Sequence, residues 1–151
     1  MNLLDIISPD CIRAPLQATE KRSVIEELVG VLEAAGRVSD APTLLEAVWT
    51  REQTKTTGIG HGLAIPHSKS AAVDEPAIAI GRPSTPLEFD SLDGKPVRLV
   101  VLLASPVDRT PEHINALAKI SKIMSVDEFR ARLYESETPE TIYELLKSQQ
   151  S

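Results

Sequence analysis

Two of the chain's three histidines, His61 and His67, share one stretch, TTGIGHGLAIPHSK (residues 56–69), and the third, His113, follows Thr110-Pro111-Glu112. A neutral imidazole is a nucleophile, and an ordinary pKa of about 6.5 leaves most of it neutral near roughly pH 7. Glycines at 58, 60 and 62 let the backbone turn tightly without a Cβ clash, leaving amides open as a cradle for an anion such as phosphate. Leu63-Ala64-Ile65 reads as a brief strand rooted in the core, and Pro66 ends its ladder and fixes the backbone just ahead of His67. Launched from a strand end, with Ser68 and Lys69 beside it, His67 suits a task that needs an accessible, oriented ring. The same pattern also describes a surface histidine in a turn. His113 falls third in a helix capped by Thr110, where unpaired N–H groups favour an anion and an imidazole can donate to one. It equally fits a residue that only decorates a first turn.

Other chemistries would leave motifs that the sequence lacks. The phosphate loop GxxxxGK[ST] fails because Leu63, not Lys-Ser/Thr, follows Gly62, and the dinucleotide fingerprint fails because no helix follows the glycines. HExxH, GxSxG and EF-hand patterns do not occur. A zinc site of His61, His67 and His113 has the right residue types for a three-histidine set, but nothing in the spacing demands it.

The elements that must position these residues follow from periodicity. Short apolar pairs and two prolines over residues 1–17 predict a loop with a short strand near Cys11 to Arg13. Val24, Ile25, Leu28, Val29 and Leu32 form one helical face, with Thr19 as its N-cap and Gly36 as its stop. A second helix starts near Asp40, carries Pro42 in its first turn, buries Leu44, Leu45, Val48 and Trp49, and ends around Arg51-Glu52. Ala77 to Ile80 predicts a short strand, Asp93-Gly94 a tight turn, and Val97 to Ala104 a strand buried on both faces. A helix from Thr110 shows a core face of Ile114, Leu117, Ala118 and Ser121. Ser125-Val126-Asp127-Glu128 reads as a capping box, and Thr138-Pro139-Glu140 opens a last helix with Ile142, Leu145 and Leu146. The expected fold is α/β, a mixed β-sheet flanked by helices on both faces, in a single domain over residues 1–151.

Composition narrows the partners. The apolar share of 42% is that of an ordinary globular domain, and the net charge of −6 argues against nucleic acid or an anionic membrane as a partner. Cys11 stands alone, which excludes a disulfide framework and fits a reducing compartment. Neither a signal peptide nor a membrane-spanning run is visible, so a cytoplasmic location is expected.

Arg51-Glu52, followed by Thr57-Gly58-Ile59-Gly60-x-Gly62-Leu63-Ala64-Ile65-Pro66-His67, closely resembles a known phosphorylation-site signature. It is that of the fructose/mannitol-type (type 2) IIA components of the bacterial phosphoenolpyruvate-dependent sugar phosphotransferase system, a type that includes the nitrogen-regulatory IIA proteins. The likeness continues in Asp93-Gly94-Lys95-Pro96-Val97, in Leu103-Ala104-Ser105-Pro106 and in His113-x-x-x-Leu117-Ala118-x-Ile120. The resemblance implies a relay protein working through a phosphohistidine. His67 would accept phosphoryl from phospho-HPr or a paralogue, His113 would be the second active-site histidine, and Arg51 would help hold the phosphate. The recipient would be a cysteine-bearing IIB component or a regulatory target protein, with peripheral contact to a membrane permease complex in the transport case. Neither cofactor nor metal is implied. His61 departs from the regulatory form, in which Asn is common; it either adds a donor to the phosphate or points to solvent, and Ser68 is a further candidate beside His67. The sequence contains no fused IIB or membrane segment, which tilts the expectation toward regulatory output. A non-catalytic binding module of the same fold and a three-histidine zinc protein are the alternatives.

Overall fold

A computed structural model of the chain describes residues 2–149. Among the described residues, one strand is followed by two α-helices, five further strands and three further α-helices. They are β1 (Ile12–Leu16), α1 (Lys21–Ala34), α2 (Ala41–Thr54), β2 (Gly58–Gly60), β3 (Leu63–Ala64), β4 (His67–Lys69), β5 (Ala77–Pro83), β6 (Leu99–Ser105), α3 (Thr110–Ile123), α4 (Asp127–Glu135) and α5 (Pro139–Ser148). The sheet order is β1-β5-β6-β3-β2, and β4 lies beside β6 beyond the end of β3. β5 and β2 run antiparallel to their neighbours β6 and β3, whereas β1–β5, β3–β6 and β4–β6 are parallel, so the sheet is mixed.

Every residue of β6 is buried, and the pleat sends them alternately to two cores. Val100, Leu102 and Ala104 pack with α1 and α2, while Leu99, Val101 and Leu103 pack with α3, α4 and α5. β5 divides likewise, Ala77 and Ala79 toward the first core and Ile78 and Ile80 toward the second. In β5 the small side chains thus face α1 and the branched ones face the second core. Each fully buried Leu or Ile contributes about 1.5–3 kcal/mol relative to exposure. The expected single α/β domain with helices on both faces is what forms.

Several boundaries differ from expectation. α1 is capped by Glu20 rather than Thr19, and Glu20 makes no side-chain cap bond. The helix start is set by burying Val24 and Ile25, not by a hydroxyl cap. α3 begins at Thr110 with Arg109 as its cap, and α4 follows Val126 without the capping box, because the Ser125 hydroxyl donates to Lys122 O instead. The buried face of α3 is His113, Ala116 and Ile120, with Ile114 60% exposed, so the helix is turned by one residue from the apolar stripe. A histidine displaces an isoleucine from the interior. Asp40 and Thr138 do cap α2 and α5, accepting from Thr43 N and Thr141 N. β5 runs on through Gly81 to Pro83, and β6 starts two residues later than the apolar run.

Gly36 stops α1 as expected. Its φ is +75°, its N–H donates to Glu33 O, and Arg37 N–H closes back on Leu32 O at 2.9 Å. Gly30 lies within the exposed side of α1, and a Cβ would meet nothing within 4 Å at either glycine. The two alanine substitutions should therefore act in opposite directions. Gly30→Ala is expected to raise stability by roughly 0.5–1 kcal/mol, and Gly36→Ala to lower it by about 1 kcal/mol. Urea unfolding midpoints at constant slope measure both.

Candidate functional site

His67 opens β4 in register with Leu103, and Leu103 N–H donates to Pro66 O at 3.0 Å. Pro66, which has no N–H, thus still binds the ladder through its carbonyl and sets the origin of the histidine. The ring bends back on its own chain, with Nδ1 2.7 Å from Ile65 O. A carbonyl only accepts, so Nδ1 carries the proton and Nε2 keeps its lone pair. Burial holds the His67 pKa below its ordinary value; the Ile65 carbonyl opposes this, and the nearby Arg51 charge adds to it. The outcome is a neutral, oriented imidazole.

His113, only 6% exposed, faces it across 5.6 Å between ring centroids at an interplanar angle of 51°. It is the fourth residue of α3 rather than the third after a Thr110 cap, and its own N–H is already spent on Arg109 O at 3.0 Å. What it offers is its ring, not a free helix amide. Nδ1 lies 2.7 Å from the hydroxyl of Ser105, the fully buried last residue of β6. Burial first, then the neighbouring His67 and Lys69, push the His113 pKa down to about 4. Lys69 is held beside it by donating from Nζ to Thr110 Oγ1 at 3.0 Å. The Ser68 hydroxyl turns to its neighbour's carbonyl, Lys69 O.

A buried carboxylate anchors the segment that enters the site. Glu52, 3% exposed, accepts from Thr57 N at 2.8 Å and Thr57 Oγ1 at 2.5 Å, and pairs with Lys21 Nζ at 3.0 Å. Thr57 O in turn accepts Ile65 N–H at 3.1 Å, and Ile65 O takes the His67 proton. A continuous run of hydrogen bonds therefore links the last turn of α2 to the imidazole. Arg51, next to Glu52, is exposed on that same turn.

Of the glycines expected to shape a phosphate cradle, Gly58 pairs with Ala64 in β2, while Gly60 and Gly62 form the turn into β3. β3 starts opposite Leu99 and β4 opposite Leu103, four positions along β6, or roughly 13 Å at about 3.3 Å per residue. Ile65 and Pro66 lie between, so the turn sits at the far end of the strand line from His67. Gly60, His61 and Gly62 all have positive φ. Asp93 accepts from His61 N at 3.0 Å, Tyr134 Oη donates to His61 O at 2.7 Å, and Gly62 O receives Arg98 and Leu99 N–H. The glycines serve strand pairing. His61 lines a separate cleft of about 280 Å³ with Ile59, Ser121 and Arg130. The three histidines do not converge, and the described residues contain no group of three His, Cys, Asp or Glu suited to a metal, so the zinc alternative loses its ligand set.

Sequence reasoning missed Ser105, the anchoring role of Glu52 and the placement of Lys69. One signal was present: Leu44, Val48 and Glu52 recur every four residues, which puts a carboxylate on the buried stripe of α2.

The family described as "Phosphoenolpyruvate-dependent sugar phosphotransferase system, EIIA 2" matches residues 5–149. The chain belongs to this EIIA 2 family. A fructose-specific EIIABC component of Bacillus subtilis is 36% identical to this EIIA 2 chain over 97% of its length, and the chain spans 23% of that relative. A nitrogen regulatory protein of Bradyrhizobium diazoefficiens is 31% identical, covering 97% of the chain and 95% of the relative. The crystal structure of the nitrogen regulatory protein IIA-Ntr from Neisseria meningitidis superposes with a TM-score of 0.87 at 30% identity, over 95% of this chain and 98% of that one. Among the described residues, no helix of this EIIA 2 chain is long and apolar enough to cross a membrane.

Two outcomes follow from the site's electrostatics. Glu52→Ala leaves the Thr57 donors unpaired and takes from Lys21 the nearer of its two carboxylate partners, and is expected to cost about 2–3 kcal/mol in urea unfolding, with Glu52→Gln costing less. The folded pKa of His113 lies below its ordinary value, so the unfolded chain binds more protons between about pH 6.5 and about pH 4. Stability from the neutral ring is therefore complete above about pH 6.5 and is lost as pH falls toward about 4, by at most about 3 kcal/mol. His113→Gln should flatten the slope of unfolding free energy against pH in that window.

Proposed function

We propose that the chain is a phosphocarrier that takes a phosphoryl group onto Nε2 of His67 from a histidine-phosphorylated donor protein of the HPr type. The observation that carries this reading is the 2.7 Å contact between His67 Nδ1 and Ile65 O, which leaves the Nε2 lone pair as the free nucleophile. In the transfer step that lone pair attacks phosphorus, the P–N bond of the donor breaks, and its electron pair returns to the donor's ring. No proton need move. Positive charge building on the His67 ring is met by the Ile65 carbonyl, through the proton that Nδ1 retains. His113, Lys69 and Arg51 supply donor and cationic groups for the phosphoryl oxygens, so positioning and charge stabilisation account for the acceleration.

The recipient is a IIB component or a regulatory target. Sugar-specific and nitrogen-regulatory relatives match the same residues of the chain, and regulatory output is the first to test. Incubation with phosphoenolpyruvate, the general energy-coupling protein and HPr should label the wild type and leave His67→Ala unlabelled. A label that persists on His67→Ala would sink the assignment. His113→Ala should slow labelling on the order of 100-fold, the scale seen when one preorganised donor is removed. For the output, passage of label to a IIB cysteine identifies transport. Capture of a target that differs between His67→Ala and phosphorylated wild type identifies regulation.

A further inference from the structure

The two imidazoles are each held by Nδ1, but by partners of different chemistry. We propose that Ser105 is a positioning residue that keeps His113 protonated on Nε2, the tautomer opposite to that of His67, so that a lone pair and an N–H donor stand side by side before one phosphoryl group. The proposal rests on the phosphocarrier reading and assigns a task to a residue outside the histidine pair.

The direction of one hydrogen bond decides the tautomer. Ser105 Oγ and His113 Nδ1 are 2.7 Å apart, Ser105 is 0% exposed and His113 6%. Among the described residues neither atom has a second hydrogen-bond partner. If Nδ1–H donated, the serine hydroxyl proton would be buried with no acceptor. If the hydroxyl donates, an oxygen lone pair goes unmet, and the resulting Nε2–H is not orphaned, because Ser91 Oγ is the only sealed side-chain polar atom without a partner among the described residues and Nε2 therefore reaches solvent. Orphaned buried donors cost about 1–3 kcal/mol, and an under-used oxygen is tolerated better. The hydroxyl therefore donates, Nδ1 accepts, and the ring proton sits on Nε2. That requires a neutral His113, which its burial beside His67 and Lys69 ensures. His67 is the mirror case, because Ile65 O has no proton to give. Each pin lies on the Nδ1 edge of its ring, so the two Nε2 atoms are the edges left free, on rings 5.6 Å apart. One is a nucleophile and the other a donor, and neither needs to gain or lose a proton before transfer.

Ser105 reaches this place through the sheet. It ends β6, pairs with Lys69, and its carbonyl accepts Ser70 N–H at 2.8 Å, so its backbone is fixed from the β4 side while its side chain addresses α3.

Nitrogen-15 NMR of the imidazoles in the unphosphorylated full chain near roughly pH 7 reads both tautomers directly, and labelling by phospho-HPr reads their consequence. Wild type should show His113 protonated on Nε2 and His67 on Nδ1. Ser105→Ala should admit an Nδ1-protonated population at His113, leave the His67 tautomer unchanged, and slow labelling about tenfold. Ser105→Thr, which keeps the hydroxyl, should restore both. An Nδ1-protonated His113 in the wild type, or a Ser105→Ala chain labelled at the wild-type rate, would overturn the proposal. If the wild type accepted no phosphoryl group at all, the phosphocarrier reading would fall, while the tautomer of His113 would still decide the part played by Ser105.

Discussion

Strand β6 is buried along its whole length, and the arrangement of the molecule depends on that burial. A strand enclosed on both faces must alternate its side chains between two cores, so helices are required on both sides of the sheet. It must also find hydrogen-bond partners along both edges, because an unpaired backbone group in that position has no access to water. β5 meets this need on one edge, and β3 and β4 share the other. The interruption between β3 and β4 is where Pro66 sits. The apolar run ends at Ser105, and there the enclosed strand delivers its first side-chain hydroxyl to a histidine. The site is built at the point where the sheet stops being purely apolar.

A second constraint works at right angles to the strands. The Glu52 carboxylate is buried at the end of α2, and it is satisfied by Lys21 from α1 and by both polar atoms of Thr57. Such an ion pair adds less net stability than its Coulomb attraction suggests, since both charges give up hydration. Its value lies in fixing geometry. Thr57 cannot shift without uncovering a buried charge, and Thr57 holds Ile65, whose carbonyl aims His67. Rigidity at the imidazole thus originates in a charge pair on the opposite side of the segment.

The electrostatic design of the site is to keep rings neutral among cations. His67 and His113 are both driven toward their neutral forms, principally by burial, while Arg51 and Lys69 remain charged at the rim. Neutral imidazoles keep their lone pairs, and fixed cations attract an anion without occupying them. Protonated rings without fixed cations could bind an anion but would have no lone pair to act as a nucleophile.

Much of this was readable in the chain. The doubly apolar run at 97–104, the helical stripes and the Pro66-His67 junction gave the fold class and singled out His67, because periodicity and proline chemistry are local properties. The α1 stop at Gly36 and the Asp40 and Thr138 caps were legible for the same reason. The caps at Thr19, Thr110 and Ser125 were not, since each hydroxyl or helix start answers to packing elsewhere: Thr110 to Lys69, Ser125 to Lys122. Strand register, which sequence spacing does not show, separates residues 60–62 from His67 although they are close in sequence. The sequence alone determined which residue types are present and the local backbone that launches His67. Only the tertiary structure decided what stands opposite it, because the tautomers and pKa values of His67 and His113 depend on Ile65 O, Ser105 and burial between β6 and α3. Those contacts come from packing rather than from spacing along the chain.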